Sequence, residues 1–215
     1  MIKVIIFDLD GLLIDSQPLQ YKAYNQVFSK HGFPLSLDDW REWIHNSYRT
    51  NQWIQKNHLP LNVDLVRAEK KKIYDKLVRN ELKLKPGALS LINNLYGSFR
   101  LCIASSSRLE SIELVLEKFG LKSKFEKLVS DTEMIKGKPY PDIFLKTAEI
   151  MRARPEECLV IEDSVAGLKA AKAAGIKCVI CPDSFGAIEP VKFKGAYKIV
   201  KNLNEITSEM LENIS

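Results

Sequence analysis

The sequence predicts an α/β fold: a parallel sheet flanked by helices and interrupted after its first strand by an all-helical insert. Three observations predict it. Short apolar runs recur at 2–7, 101–104, 128–129, 158–161, 177–181 and 197–200, with the length and β-branched content of strands buried on both faces. From residue 86 onward, helical periods separate these runs, which is the alternation of a parallel sheet. Between residues 16 and 85 that rhythm stops, and only helical periods are found.

The elements follow in order. Ile2 to Phe7 is the first strand and runs straight into Asp8. In the insert, Leu19, Ala23 and Val27 share a helix face with Tyr24 and Phe28, while Val66, Ile73 and Leu77 mark another helix. Pro86-Gly87 punctuates the return to the sheet. Leu109, Ile112, Leu116 and Phe119 then set out one helix, and Phe144, Ala148 and Met151 the next. The Ala-rich stretch 164–174 is closed by Gly175 as a helix C-cap. The expected organisation is a Rossmann-like core domain of residues 1–15 and 86–215 with a helical cap domain at 16–85.

Composition narrows the class. In 215 residues, 46% hydrophobic and 27% charged content excludes wholesale disorder, and 10 Gly with 9 Pro excludes collagen-like or linker sequence. No run approaches the ~18 apolar residues of a membrane span, so no membrane association is expected. Net charge is +5, with 13 Lys/Arg against 7 Asp/Glu in residues 16–85 and near balance elsewhere. An excess confined to the cap fits a lid that attracts small anions better than a nucleic-acid surface. The four cysteines (Cys102, Cys158, Cys178, Cys181), behind an N-terminus too short in apolar residues for a signal peptide, read as reduced thiols of a cytoplasmic protein. Cys178 and Cys181 form a lone C-x-x-C inside an apolar run, the wrong setting for zinc or redox chemistry. His31, His45 and His58 lack metal-ligand spacing, and no dimer seam is evident, so a monomer is expected.

Four short motifs carry chemistry. Asp8 and Asp10 are two residues apart just past a buried strand, where extended geometry points them the same way. They suit a hard divalent ion such as Mg²⁺, or else an Asp10-Gly11 turn with solvated acids. Ala104-Ser105-Ser106-Ser107 ends the second strand ahead of a helix and is either an anion-binding N-terminus or an ordinary cap. Lys138 sits in the proline-bracketed Lys138-Pro139-Tyr140-Pro141-Asp142, as a fixed ammonium or a surface lysine. Glu162-Asp163-Ser164 closes another strand as ligands or as a helix cap.

Topology decides between these alternatives. Parallel sheets bind ligands outside the carboxyl ends of their strands, and Asp8, Ser105, Glu162 and Asp163 all lie at such ends. Acids for a metal, a donor nest of phosphate size and a fixed lysine are together the parts of a phosphoryl-transfer site.

In order and over nearly the whole length, D-x-D-G-x-x-x-D-S, the strand-end Ser, K-P-x-P-D and E-D-S-x-x-G resemble the haloacid-dehalogenase-like (HAD) superfamily. The helical insert resembles that of its small-cap subgroup of sugar-phosphate phosphatases and beta-phosphoglucomutases. The resemblance implies Asp8 as a nucleophile forming an aspartyl-phosphate and Asp10 as general acid/base. It implies that Ser105, the Ser106 backbone and Lys138 hold the phosphoryl group. Mg²⁺ would be held by Asp8, the Asp10 backbone carbonyl and Asp163, with Glu162 acting through water. Dehalogenases and phosphonatases of the superfamily lack the acid at position 10. Gln20 stands where the commoner subgroup pattern has His, and Arg49 where the mutases carry an arginine for a second phosphate, although its loop lacks their glycine and a solvated arginine is the alternative. The expected function is therefore Mg²⁺-dependent hydrolysis of a small phosphorylated metabolite such as a sugar phosphate. A sugar phosphomutase is the nearest rival, and a non-catalytic binder of metabolite or nucleic acid a remote one.

Overall fold

The computed structural model describes residues 1–46, 48–132 and 136–214. Six strands, β1 (Val4–Phe7), β2 (Arg100–Ser105), β3 (Lys127–Ser130), β4 (Cys158–Glu162), β5 (Lys177–Ile180) and β6 (Lys198–Ile199), form one sheet in the order β3-β2-β1-β4-β5-β6. Every neighbouring pair is parallel. All six predicted strands are present, and the first lies at the centre. Val4, Ile5, Ile6 and Phe7 are each 0% exposed, which explains a run with no polar alternation: helices cover both faces of the sheet.

The chain divides into two compact units, one of residues 1–14, 84–183 and 189–215, the other of 15–83 and 184–188. The first carries the sheet with α5 (Ala88–Leu95), α6 (Leu109–Lys118), α7 (Asp142–Ile150), α8 (Val165–Ala173) and α9 (Ser208–Glu212). In α8 the small side chains of Ala170 and Ala171 are fully buried, and Gly175 beyond its end has φ +71°, the left-handed value its position predicts.

The second unit is built from α1 (Gln17–Lys30), α2 (Leu37–His45), α3 (Thr50–Lys56) and α4 (Val63–Glu81). The predicted face of α1 is buried at Leu19, Ala23, Val27 and Phe28. Its core is aromatic: Trp43 stacks on Trp53 at 5.0 Å and lies 4.8 Å from Tyr24. The segment 184–188 joins this unit through Phe185, 5.9 Å from Tyr21, and through the Gly186 carbonyl, which accepts from His45 Nε2 at 2.8 Å. No apolar period marks those five residues, and their place follows from packing alone.

Gly87 caps α5 with φ +86°, and a Cβ there would lie 2.6 Å from Asn204 Oδ1. Gly87→Ala is expected to lower the unfolding free energy by about 1–2 kcal/mol through left-handed strain alone, measured by urea denaturation. Wild-type stability would contradict this account of the turn.

Candidate active site

The site starts at the end of β1. Phe7 is level with Ile103 of β2 and Ile161 of β4, and the Asp8 amide donates to the Ile161 carbonyl at 3.0 Å. Asp8 therefore extends the central strand by one residue, beside the end of β4. The chain then turns tightly: the Leu13 and Ile14 amides both donate to the Leu9 carbonyl, and Gly11 takes φ +85°. Leu9, Leu12, Leu13 and Ile14 are buried. This turn is an apolar plug, and its two acids are not solvated decoration. In this strand order β1 is where the sheet's winding reverses, the usual place for a ligand crevice.

Lys138, in the loop before α7, reaches this edge with a side chain 7% exposed. Its ammonium donates to Asp8 Oδ1 at 2.5 Å, to Glu162 Oε1 at 2.6 Å and to the Ala104 carbonyl at 3.2 Å. Glu162 is held from its other side. Its Oε2 accepts from the Asp163 amide at 2.9 Å, and from the Ser164 amide and hydroxyl at 2.8 Å each. Ser164 meanwhile caps α8 by accepting from the Gly167 amide at 3.0 Å. The glycine has a steric reason: a Cβ on Gly167 would fall 1.9 Å from the Glu162 carboxyl carbon.

Asp8, Glu162 and Asp163 bring carboxylate oxygens within 4.8 Å of one another, all buried. Burial pushes the Asp8 carboxyl up to about 8, with Glu162 and Asp10 adding to the rise and Lys138 opposing it. Burial likewise lifts Asp163 well above the carboxylate range, reinforced by Glu162, Asp8 and Asp183. Against burial, the charge and hydrogen bond of Lys138 hold Glu162 below its ordinary value. Lys138 itself is raised: burial works to lower it, and the charges of Asp8 and Glu162 prevail. One ammonium thus faces three buried carboxyls. This crowding of carboxyls and the all-oxygen donor set fit a hard divalent cation such as Mg²⁺.

The serines approach from β2. Ser105 is buried and Ser106 exposed, with the Ser106 hydroxyl donating to Asp131 at 2.6 Å. Asp10, outside the buried trio, accepts at Oδ2 from the Ser107 hydroxyl at 2.6 Å and the Ser105 hydroxyl at 3.4 Å. Asp8, Asp10, Ser105, Ser106, Lys138, Glu162 and Asp163 all belong to the sheet-bearing unit. Gln20, half-buried in the first turn of α1, and Arg49, exposed at the N-cap of α3, belong to the helical unit. Ser47 lies outside the described residues.

Residue types gave no warning of several partners. Ser107 was legible only as one of three serines, and Asp131, the first residue past β3, carried no signal at all. Nor did Asp183, which pairs with Lys85 at 2.7 Å and raises Asp163. All four cysteines are buried and free. Burial pushes Cys158 and Cys181 to about 11 and Cys178 well up, so these thiols are inert. Among the described residues, no helix is long and apolar enough to cross a membrane.

Comparison with known proteins is consistent with this geometry. The family model described as haloacid dehalogenase-like hydrolase matches residues 5–181. YhcW of Bacillus subtilis is 32% identical over 187 residues, covering 85% of this chain and 84% of that protein. The phosphorylated carbohydrates phosphatase of Thermotoga maritima is 32% identical over 183 residues, 81% of this chain and 82% of the relative. A variant of CbbY from Rhodobacter sphaeroides, solved with xylulose-(1,5)bisphosphate, superposes with a TM-score of 0.82 at 27% identity, covering 95% of this chain and 96% of that one.

Two outcomes follow from the site's electrostatics and packing. Between pH 3.8 and about 8, the folded metal-free protein keeps a proton on Asp8 that the unfolded chain has released, so stability falls as pH rises through that window. Asp163 acts in the same direction, whereas the lowered Glu162 costs stability only as pH falls below its ordinary 4.5. A divalent cation held by these carboxyls would displace those protons, so the effect of added Mg²⁺ on the melting temperature should grow from about pH 5.5 to about pH 8; an equal shift at both would contradict the charge assignment. Gly167→Ala should displace Glu162 and with it Lys138, lowering phosphate release at least about tenfold. Activity within twofold of wild type would show that the close approach is dispensable.

Proposed function

Because the chain belongs to the haloacid dehalogenase-like hydrolase family, we propose that it is a Mg²⁺-dependent phosphatase of small phosphorylated metabolites, sugar phosphates foremost. The observation that carries this reading is the Lys138 ammonium clamped between Asp8 and Glu162 at the centre of the sheet's carboxyl edge. The names of its relatives support the substrate class: one is called a phosphatase of phosphorylated carbohydrates, and another was solved with a sugar bisphosphate.

In this reading Asp8 attacks phosphorus, its bond to phosphorus forming as the bond to the leaving alcohol breaks. A buried carboxylate beside an ammonium is suited to that role, because Lys138 offsets its repulsion for an anionic phosphate. Asp10, two residues away, gives the departing oxygen its proton and then takes a proton from the water that releases phosphate. Ser105, the Ser106 backbone and Lys138 hold the transferring group. Asp8, the Asp10 backbone carbonyl and Asp163 hold the cation, with Glu162 acting through water while it anchors Lys138. Bound there, Mg²⁺ supplies charge neutralisation and orientation of the phosphoryl oxygens. Gln20 and Arg49 act in substrate choice. In this reading the sheet-bearing unit, residues 1–14, 84–183 and 189–215, is the core domain, and the helical unit, residues 15–83 and 184–188, is the cap.

The test is phosphate release with Mg²⁺ from glucose 1-phosphate, glucose 6-phosphate, fructose 6-phosphate, ribose 5-phosphate and sorbitol 6-phosphate. Turnover of at least one is expected, and Asp8→Asn should reduce it by at least about a thousandfold. Activity surviving that substitution would remove Asp8 as nucleophile. Conversion of glucose 1-phosphate to glucose 6-phosphate with a bisphosphate primer, in place of phosphate release, would make the protein a mutase.

A further inference from the structure

We propose that Ser107 is the positioning residue of the acid/base carboxyl: its hydroxyl commits Asp10 Oδ2 as an acceptor, so the proton that Asp10 gives and takes is carried on Oδ1. The proposal rests on the reading of function above and assigns a residue that the reading leaves without a role.

The geometry around Ser107 is that of a donor placed in advance. Its amide donates to Ser105 Oγ at 3.0 Å, and its carbonyl accepts from Ser130 Oγ at 2.7 Å. Ser130 in turn lies 2.8 Å from Thr132 Oγ1 and accepts from the Thr132 amide at 3.2 Å. Both peptide groups of Ser107 are therefore tied to hydroxyls on the ends of β2 and β3, which themselves pair through Ser105 and Ser130. From that fixed backbone the Ser107 hydroxyl reaches Asp10 Oδ2 at 2.6 Å, while the Ser105 hydroxyl lies 3.4 Å from the same oxygen.

Asp10 needs this help more than Asp8 does. Asp8 is buried and clamped by an ammonium, whereas Asp10 is only half-buried and lies in the loop past the strand. A carboxyl on one methylene rotates about two torsions, and the second is broad. Proton transfer to a leaving oxygen requires placement within hydrogen-bond reach, and an error near 1 Å costs about a hundredfold. Ser107 removes that freedom. In the first half-reaction the Asp8–phosphorus bond forms, the phosphorus–alkoxide bond breaks, and the alkoxide takes the proton from Asp10 Oδ1. In the second, water bonds to phosphorus, Asp8 leaves, and the proton of that water returns to Oδ1. The Ser107 hydroxyl donates to Oδ2 throughout.

The dependence on leaving group tests this. An alkoxide must be protonated as it departs, whereas p-nitrophenolate leaves without a proton. kcat/KM reports only the steps through departure of the alcohol, so it isolates the acid role from the later attack of water. Ser107→Ala is expected to lower kcat/KM for the fastest sugar phosphate of the panel by about 10- to 100-fold, through kcat with KM little changed. On p-nitrophenyl phosphate the loss should stay within about threefold. Ser107→Thr, which keeps the hydroxyl, should recover most of the loss, and thermal melts establish that both variants fold.

An equal loss on both substrates, a change in KM alone, or no loss would each overturn the proposal, the first two by making Ser107 a phosphate contact or a structural support. Wild-type protein inactive on both substrates would overturn the reading of function, and this proposal with it.

Discussion

The charge balance at the carboxyl edge of β1 and β4 is the constraint on which the rest of the site depends. Asp8, Glu162 and Asp163 are taken out of water together, and Lys138 is the ammonium set among them. Burying a carboxylate is costly unless it is paired and hydrogen-bonded. Glu162 meets that condition, with an ammonium on one oxygen and two amides and a hydroxyl on the other. Asp163 does not, and Asp8 shares its lysine. The fold therefore holds a place for further positive charge at the point where its winding reverses.

Much of the local sequence serves that arrangement. Gly167 is a glycine because the Glu162 carboxyl occupies the space of its side chain. Ser164 satisfies two demands at once, donating to Glu162 and capping α8. The apolar turn after Asp8, closed by the left-handed Gly11, buries Leu9, Leu12, Leu13 and Ile14. These are separate stretches of chain, but each answers to the same buried charges.

Two carboxyls two residues apart end in different environments, and the difference fits the roles proposed for them. Asp8 extends the central strand into the buried trio, where lysine is its partner. Asp10 stands clear of that trio and is held by hydroxyls. A group that must attack benefits from a fixed position beside a cation, whereas one that exchanges a proton needs an oxygen left accessible. In the proposed function the environment separates the two roles, as it does wherever paired acids divide acid/base work.

What the sequence determined by itself was everything with a period or a motif. The continuous apolar run of β1 announced a strand buried on both faces, the 3.6-residue spacing of Leu19, Ala23 and Val27 gave a buried helix face, and the strand-end acids with Lys138 pointed to one edge of a parallel sheet. Those signals are legible because they arise from interactions near in sequence or from rules general to the fold class. Only the tertiary structure decided that Ser107, rather than another serine of the three, takes the 2.6 Å bond to Asp10, that Asp131 pairs with Ser106, and that Asp183 stands near Asp163. The same holds for residues 184–188, which join the helical unit through one aromatic ring and one carbonyl. Each of these depends on where separate strands end in space, and a hydroxyl or a carboxyl has no periodic signature until a partner from a distant part of the chain is within 3 Å of it.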